Sequence, residues 1–343
     1  MDWFERLTGF READYAQTRS RMVIEGDRLR SRVNGKSYRI GQFGLPSLAE
    51  LRQQVRAQPG KLTTRIVSGD VRALHGHPAF AGALFQVASQ FNMLEMVGPG
   101  VSPEDGVTRY QHDRTQGPAC AMAAGAATIY RNYFAPCGDG IGQTRERQLD
   151  GLADLGAALG RLAKLPVGAL WSMQNGYALA SADGLRAIAR VLQSADAERI
   201  DALRGHLRIG THVGVEVTDG NDEHHPFVSQ AFCSALPVAY TSLPATAWEP
   251  FAALVLEAAY EATLLAAARN AQGGGSNVVL LTLLGGGAFG NDERWIHRAM
   301  ARALALARHW ALDVFVVCHG APSRATRELV STYAPGADAA SAD

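Results

Sequence analysis

Apolar residues follow two patterns along this chain: short runs bounded by glycine or polar residues, and longer segments with helical spacing. The short runs predict buried strands around Ile66-Val67 and at 83–91, 206–218, 227–240, 277–284 and 313–319. The longer segments predict helices at 118–131, 149–164, 183–203, 248–270 and 293–309. Because helices and buried strands alternate, we predict an α/β protein whose sheet is covered on both faces.

Three regions differ from the rest of the chain in composition. Residues 1–60 are charged and helix-prone, and we predict that they form an N-terminal cap on a main domain at 61–325. Within that domain, a polar and glycine-rich insertion runs from the end of the second strand to about Gly117. Residues 326–343 are predicted to be a flexible tail, because they end in small and polar residues that cannot build a core.

The charge balance, the N-terminal residues and the cysteines indicate which partners and which cellular compartment to expect for this protein. Lys and Arg together number 33, as do Asp and Glu, so no global basic field favours binding to nucleic acid. The N-terminus lacks a basic region followed by an apolar one, and no uninterrupted apolar run reaches about 18 residues, so neither export nor a membrane partner is expected. The 4 cysteines are far apart and form no Cys-x-x-Cys pair, which favours a reducing cytoplasm.

Histidine and carboxylate residues occur together at two places where a metal site could be considered. His212 and Glu216 share one face of a predicted strand, and His224-His225 lie in a polar loop. No metal-ligand spacing motif joins these residues, so we predict that the protein holds no metal ion.

The segment LTLLGGGAFGNDERW, residues 281–295, joins a predicted strand to a predicted helix. Its Gly285-x-Gly287-x-x-Gly290 spacing matches the dinucleotide fingerprint, but the next strand ends in Cys318-His319 rather than in an acidic residue, which disfavours a nicotinamide-dependent dehydrogenase. No Lys-Ser/Thr pair follows the glycines, which excludes a P-loop nucleotidase. Bare backbone before a helix start can bind an anion through N–H groups, so we predict a diphosphate there. The alternative is a glycine-rich turn without a ligand.

A second candidate anion site lies in TQGPA, residues 115–119. Gly117 and Pro118 begin a predicted helix whose first turn carries small residues, so a ligand could approach its backbone closely. Together the two helix starts could hold one extended ligand between them. The alternative is that alanine-rich helices simply pack tightly against each other.

Taken in order, RIVSGDVRAL, ALFQVASQFNML and LTLLGGGAFGN make the chain resemble the macro domain, an ADP-ribose-binding module. The resemblance covers about 61–325 with large insertions. It is closest in character to poly(ADP-ribose) glycohydrolases and to macro-type effector hydrolases of Legionella that act on ADP-ribosylated ubiquitin. It implies a three-layer α/β/α fold with a mixed sheet, an N-terminal helical cap and large insertions. The glycohydrolase Gln-Glu-Glu signature is absent, so no catalytic glutamates are carried over from that branch.

The resemblance also implies roles for individual residues. Asp70, backed by Val71, matches the aspartate that accepts a hydrogen bond from the adenine amino group, and Asn92 matches an asparagine near the distal ribose. Phe289 matches an aromatic residue that packs on the ribose side. The matching phosphate loops are Gln116, Gly117, Pro118 and Ala119, which the insertion delays, and Gly286, Gly287, Ala288, Phe289, Gly290 and Asn291.

Cleavage of a glycosidic bond at the distal ribose passes through an oxocarbenium-like state, which requires a carboxylate nearby. Asp113 is our first choice, because it lies just before the first phosphate loop, and Glu95 lies on the same insertion. Asp292 directly follows the glycine loop, although helix capping is the alternative role there. With Asn92, these three residues form the predicted catalytic set.

The sequence therefore predicts an ADP-ribosyl hydrolase that removes ADP-ribose from modified protein side chains, with arginine as a candidate linkage. ADP-ribose is the expected ligand, no cofactor is expected, and the partner is an ADP-ribosylated protein or an ADP-ribose derivative. Two alternatives stay open: a reader that binds ADP-ribose without cleaving it, and a hydrolase of a free ADP-ribose metabolite. The carboxylates of the insertion favour catalysis, because a reader needs no acid at that place.

Overall fold

The structure, a computed structural model, describes residues 1–220 and 225–335. The elements in chain order are α1 (Trp3–Thr8), α2 (Tyr15–Ser20), β1 (Met22–Glu25), β2 (Arg28–Ser31), β3 (Ser37–Arg39), β4 (Gln42–Gly44), α3 (Leu48–Gln54), β5 (Thr63–Ser68), α4 (Val71–His75), β6 (Leu84–Ala88), α5 (Gln116–Ala123), α6 (Gly125–Tyr133), β7 (Pro136–Cys137), β8 (Gly140–Ile141), α7 (Ala153–Ala163), α8 (Val167–Leu170), β9 (Trp171–Gln174), β10 (Tyr177–Ala180), α9 (Ala182–Ser194), α10 (Ala197–Gly205), β11 (Gly210–Glu216), β12 (Phe227–Cys233), α11 (Ala245–Gln272), β13 (Val278–Leu281), α12 (Glu293–Ala307), β14 (Asp313–Cys318) and α13 (Arg324–Ser331). Short 3-10 helices lie at Pro103–Asp105, Thr108–His112 and Val238–Tyr240.

A seven-stranded mixed sheet runs through the centre of the protein, in the order β4-β11-β12-β6-β13-β14-β5. The five strands from β12 to β5 are parallel to one another, whereas β11 is antiparallel to both β12 and β4. Because parallel strands end at the same edge, the loops after these five strands gather at one edge of the sheet.

Side chains of the sheet alternate between two separate cores, as the period of a strand requires. In β13, Val279 and Leu281 pack into the core that contains Ile296 of α12 and most of α11. Leu280 faces the opposite core, with Cys120 of α5. Helices therefore cover both faces of the mixed sheet, and the predicted three-layer α/β/α fold class is confirmed.

Helix α11 is the one element among the described residues that is long and apolar enough to cross a membrane. Its most apolar window is 89% buried inside the protein, against α12 and the sheet. That burial is the pattern of a core helix.

Residues 1–60 contain more strand than their charged composition indicated. Strands β1, β2 and β3 form a small sheet of their own, and β4 pairs with β11 at the edge of the main sheet. This region therefore extends the central sheet as well as packing on it. At the other end of the chain, 324–331 form α13, which Ser323 caps by accepting a hydrogen bond from the Thr326 amide. The last residues of the predicted tail, 336–343, lie outside the described part of the chain.

Several predicted elements have different bounds in the structure. The helix predicted at 118–131 divides into α5 and α6 at Ala124, whose backbone is not helical. The helix predicted at 183–203 divides into α9 and α10, because Asp196 caps the second helix through the Arg199 amide. The hairpin of β9 and β10 lies between two predicted helices and was not predicted.

Candidate functional site

A cleft with two connected chambers lies at the edge where the parallel strands end. The outer chamber has a volume of about 820 Å³ and the inner chamber about 230 Å³. The residues that line both chambers are Asp113, Gln116, Thr282, Leu283 and Gly287. A cleft at the carboxyl ends of parallel strands is where open α/β sheets commonly bind ligands.

The outer chamber contains the predicted adenine-binding pair. Asp70 follows β5, is exposed, and caps α4 by accepting a hydrogen bond from the Arg72 amide at 2.9 Å. Val71 is buried beside it. The Arg72 guanidinium is paired with Asp219. Both Asp70 and Val71 line the chamber, so they are placed where a ligand could contact them.

The glycine loop separates the outer chamber from the inner one. Gly285 and Gly290 have positive φ angles of 76° and 70°, which side chains other than glycine rarely adopt. The loop is closed by hydrogen bonds from the Gly290 amide to the Gly287 carbonyl at 3.0 Å and from the Asn291 amide to the Gly285 carbonyl at 3.0 Å. Within 1–220 and 225–335, no group accepts a hydrogen bond from the amides of 287–289. These amides can therefore bind an anion.

Two neighbours hold the glycine loop in place. The buried Tyr260 hydroxyl of α11 donates to the Thr282 carbonyl at 2.6 Å and accepts from the Leu284 amide at 3.0 Å. Asn291 donates from Nδ2 to the carbonyl of Leu236 at 2.9 Å, while its buried Oδ1 has no partner among the described residues. Asn291 also belongs to the lining of the outer chamber.

Asp292 has a structural role that differs from the predicted catalytic one. It caps α12 by accepting a hydrogen bond from the Arg294 amide at 2.8 Å, and it pairs with the Arg294 guanidinium at 2.6 Å. This guanidinium lowers the pKa of Asp292 to about 2. Asp292 lines neither chamber, because the capping geometry directs its carboxylate back onto its own helix.

The first turn of α5 is attached directly to the end of β6. The Gln116 side chain accepts a hydrogen bond from the Ala88 amide at 2.7 Å and donates to the Gln86 carbonyl at 2.9 Å. Gly117 and Pro118 line the inner chamber, whereas Ala119 lines the outer one. The predicted first phosphate loop therefore reaches both chambers, opposite the glycine loop.

Asp113 lies where the two chambers meet. Its Oδ1 accepts a hydrogen bond from the Thr115 amide at 2.8 Å, and its own amide donates to the Tyr110 carbonyl at 3.1 Å. The side chain is half-buried and belongs to the lining of both chambers. The predicted first-choice carboxylate thus faces the cleft.

Glu95 lies deeper, behind the inner chamber that it helps to line. Its side chain is fully buried and its carboxylate pairs with the buried Arg131 at 3.2 Å. Burial raises the pKa of Glu95 to about 7, and the positive charge of Arg131 only partly opposes this shift. A carboxyl group with such a pKa can donate or accept a proton near neutral pH.

The structure places Asn92 outside the cleft, contrary to the prediction. Its side chain is buried, donates to the Gln148 side chain at 2.9 Å and accepts from the Leu94 amide at 3.1 Å. Asn92 lines neither chamber, because these hydrogen bonds hold its side chain within the turn after β6. Gln90 of the same turn lines the inner chamber instead.

Three aromatic rings form one wall of the inner chamber. Tyr177 and Phe289 have ring centroids 5.3 Å apart, and Tyr240 lies 5.1 Å from Tyr177 and 5.5 Å from Phe289. Tyr177 comes from the hairpin of β9 and β10, and its hydroxyl donates to the Met96 carbonyl at 2.7 Å. Of these three aromatic residues, only Phe289 is predicted from the sequence to lie at the site.

The inner chamber also has an uneven charge. Its lining includes the half-buried carboxylate of Asp113 but no Lys, Arg or His among the described residues, while the carboxylate of Glu95 is fully buried and paired with Arg131. A positively charged group would therefore meet opposite charge and aromatic faces there, both of which favour a cation.

The histidine and glutamate residues considered above as metal ligands make other contacts in the structure. The His225 ring pairs with the Glu216 carboxylate at 2.9 Å, and His224 lies outside the described residues. Across 1–220 and 225–335, no group of three or more His, Cys, Asp or Glu side chains is close enough together to hold a metal ion.

Neither a protein-family model nor a curated protein matches this sequence. Among solved structures, it is similar to the poly(ADP-ribose) glycohydrolase of Thermomonospora curvata, with 16% identity, 93% of this chain and 97% of that chain covered, and a TM-score of 0.44. It is also similar to the poly(ADP-ribose) glycohydrolase of Deinococcus radiodurans in complex with ADP-ribose, with 13% identity, 85% and 93% coverage, and a TM-score of 0.45. With identities and TM-scores this low, the function has to be argued from this chain's own residues.

Proposed function

We propose that this protein is an ADP-ribosyl hydrolase, which binds ADP-ribose along the cleft and removes it from modified protein side chains. The observation that carries the proposal is the order of groups along the cleft. An exposed Asp70 lies in the outer chamber, unpaired amides of 287–289 lie at the division, and Asp113 lies where the inner chamber begins. These groups suit a base, a diphosphate and a reacting ribose in turn.

The diphosphate is the best-supported part of the ligand. A dinegative group between the glycine loop and the start of α5 would receive hydrogen bonds from free amides and a favourable helix dipole. The base in the outer chamber would donate its amino hydrogen to Asp70. The ribose bearing the modified side chain would then lie in the inner chamber, beside Phe289 and Asp113.

The two carboxyl groups supply the chemistry. Asp113, at the junction of the chambers, stabilises the positive charge that develops on the ribose as its bond to the leaving group breaks. Glu95, which can carry a proton near neutral pH, acts as the acid that protonates the leaving group. Water adds to the anomeric carbon, the proton that it releases restores the Glu95 acid, and the products are free ADP-ribose and the unmodified side chain.

Arginine is the linkage that we propose for the substrate. Its guanidinium is cationic and planar, and it stacks well on aromatic rings. The inner chamber offers the rings of Tyr177, Tyr240 and Phe289 together with the carboxylate of Asp113, and its described lining contains no cationic side chain.

The experiment compares binding and turnover with one preparation of the protein. Titration calorimetry with ADP-ribose measures binding, and release of ADP-ribose is followed from proteins mono-ADP-ribosylated on arginine, proteins modified on glutamate, and poly(ADP-ribose). We expect binding together with release from the arginine-linked substrate. Binding without release from any substrate would make the protein a reader, and absence of both would refute the proposal.

A further inference from the structure

The carboxylate of Glu12, in the N-terminal region, holds the insertion that leads to Asp113. Its Oε1 accepts hydrogen bonds from the Val107 amide at 2.9 Å and from the Tyr133 hydroxyl at 2.7 Å. Its Oε2 accepts from the Thr108 amide at 2.7 Å. One half-buried carboxylate thus joins the N-terminal region, the insertion and α6.

The segment that Glu12 holds leads directly to the candidate carboxylates. From Thr108 the chain makes a 3-10 helix that ends at His112, and the amide of the next residue, Asp113, donates to the Tyr110 carbonyl. The buried hydroxyl of Tyr110 accepts a hydrogen bond from the Glu95 amide at 3.1 Å. A displacement of this short helix would therefore move both Asp113 and the backbone of Glu95.

Two further contacts tie the same turn to the N-terminal region. The Trp3 indole N–H donates to the Thr108 carbonyl at 3.2 Å. Gly106 has a φ of 79°, and a Cβ on it would overlap the Glu12 carboxylate, so the backbone approaches Glu12 as closely as glycine permits.

We propose that Glu12 is a positioning residue for the hydrolase reaction, which fixes the turn at 107–113 and thereby the place of Asp113 at the junction of the chambers. This inference rests on the function proposed above. Glu12 lines neither chamber, so it contacts no substrate, and its effect reaches the reaction through the turn alone.

The test is Glu12→Gln, which keeps the shape of the side chain but replaces one acceptor oxygen with an NH₂ group. That group would face an amide donor of Val107 or Thr108, so the turn could not keep its present place. A misplacement of about 1 Å can lower a rate by about 100-fold, so we expect kcat to fall by about 10-fold to 100-fold. The dissociation constant for ADP-ribose should stay within about threefold, because the glycine loop and Asp70 are untouched.

Glu25→Gln is the matched control, since Glu25 is an exposed residue of the same region and pairs with Arg30 alone among the residues that the structure describes. It should retain the kcat of the unmodified protein. If Glu12 only stabilised the fold, Glu12→Gln would lower the activity and the fraction of protein that binds ADP-ribose by the same factor. Turnover is therefore expressed per ADP-ribose-binding site. Either that proportional loss or an unchanged kcat in Glu12→Gln would overturn the proposal.

A second variant covers the case in which Glu12→Gln fails to fold. Tyr133→Phe removes one of the three hydrogen bonds to Glu12 and no backbone contact, so it should lower kcat in the same direction by about twofold to tenfold. An unchanged kcat in Tyr133→Phe would then overturn the proposal. Failure of the proposed hydrolase function can be distinguished from failure of this inference, because the unmodified protein would then release no ADP-ribose from any substrate.

Discussion

Gly117 lies directly against the carbonyl oxygen of Ala88, so that a Cβ on Gly117 would come well inside the 3.0 Å that real Cβ atoms keep from other atoms. The first turn of α5 can therefore begin at the end of β6, at the division between the two chambers. We predict that Gly117→Ala shifts this turn and weakens ADP-ribose binding at least about tenfold, or about 1.4 kcal/mol. Calorimetric titration with ADP-ribose measures the change.

The same substitution should also lower stability, because inserting a methyl group at a packed site costs about 1–3 kcal/mol. Gly168→Ala is the control, since nothing lies within 4 Å of a Cβ at that position. Its affinity and thermal midpoint should match those of the unmodified protein. If Gly117→Ala bound ADP-ribose as tightly as Gly168→Ala, the first turn of α5 would have no part in the site.

Gly287 offers a sharper test of the anion site, because a Cβ there would meet no atom within 4 Å and its φ is not positive. Gly287→Ala should therefore fold and bind ADP-ribose within about threefold of the unmodified protein. Gly287→Glu adds a negative charge beside the free amides and should weaken binding by about 100-fold or more, through repulsion of the diphosphate. Both affinities can be measured by titration calorimetry.

Both variants replace the same glycine, so both lose its backbone freedom. The difference between their affinities for ADP-ribose therefore reports the charge and size of the glutamate side chain. Equal affinity for ADP-ribose in Gly287→Glu and Gly287→Ala would mean that no anion binds at the glycine loop. An uncharged ligand would then have to be sought for the cleft.

Local signals in the sequence were sufficient to predict the central layers and the glycine loop. In β13 a short apolar run is followed by glycines at the places that need positive φ, Gly285 and Gly290, and then by a helix. Such signals depend on neighbours in the chain. They predict that the loop joins a strand to a helix, and this prediction needs no knowledge of the strand order.

The direction of single side chains could not be predicted in the same way. Asn92 follows a strand that ends at the cleft, but its side-chain amide is held in the core by hydrogen bonds with the Gln148 side chain and the Leu94 amide. Asp292 follows the glycine loop, but the free amides of α12 attract its carboxylate. Both outcomes depend on local hydrogen bonds that compete with the site for the same side chain.

The aromatic wall depends on tertiary docking, which the sequence does not display. The Asn175-Gly176 pair is a strong hairpin signal, and both residues have positive φ in the turn between β9 and β10. This signal could have predicted the hairpin. It could not have predicted that Tyr177 would pack against Phe289, more than one hundred residues further along the chain.

Asp113 is predicted to contribute to turnover and little to binding. Asp113→Asn keeps the hydrogen bond from the Thr115 amide but removes the negative charge that stabilises the reacting ribose. Turnover of the arginine-linked substrate should fall by about 100-fold to 10,000-fold, the usual range for one acid or base group. The affinity for free ADP-ribose should stay within about threefold.

Asp183→Asn is the control for Asp113→Asn, because Asp183 is exposed on α9 and pairs with Arg186 there. Initial rates of ADP-ribose release at saturating substrate measure both variants. A normal rate in Asp113→Asn would leave Glu95 as the remaining carboxylate of the inner chamber and would rule out the role given to Asp113.

Glu95 should make the stability of the protein depend on pH. Its pKa rises from the ordinary 4.5 to about 7 in the folded state, because burial disfavours the charged carboxylate more than Arg131 favours it. Between these two values the folded protein retains a proton that the unfolded chain has lost. The stabilisation is therefore fully present below about pH 4.5 and is lost as the pH rises through about 7.

Glu95→Gln removes this titration while keeping the size of the side chain, so its free energy of unfolding should change less between pH 4.5 and 8 than that of the unmodified protein. The expected difference is about 3 kcal/mol, from about 1.4 kcal/mol for each unit of the shift in pKa from 4.5 to about 7. Urea unfolding at several pH values measures it, and Glu104→Gln, an exposed residue of the same insertion, should behave like the unmodified protein. If the free energy of unfolding varied with pH in the same way in Glu95→Gln and in the unmodified protein, Glu95 would be ionised throughout this range. A carboxylate without a proton at neutral pH could not protonate the leaving group, so the acid would then have to be another residue of the inner chamber.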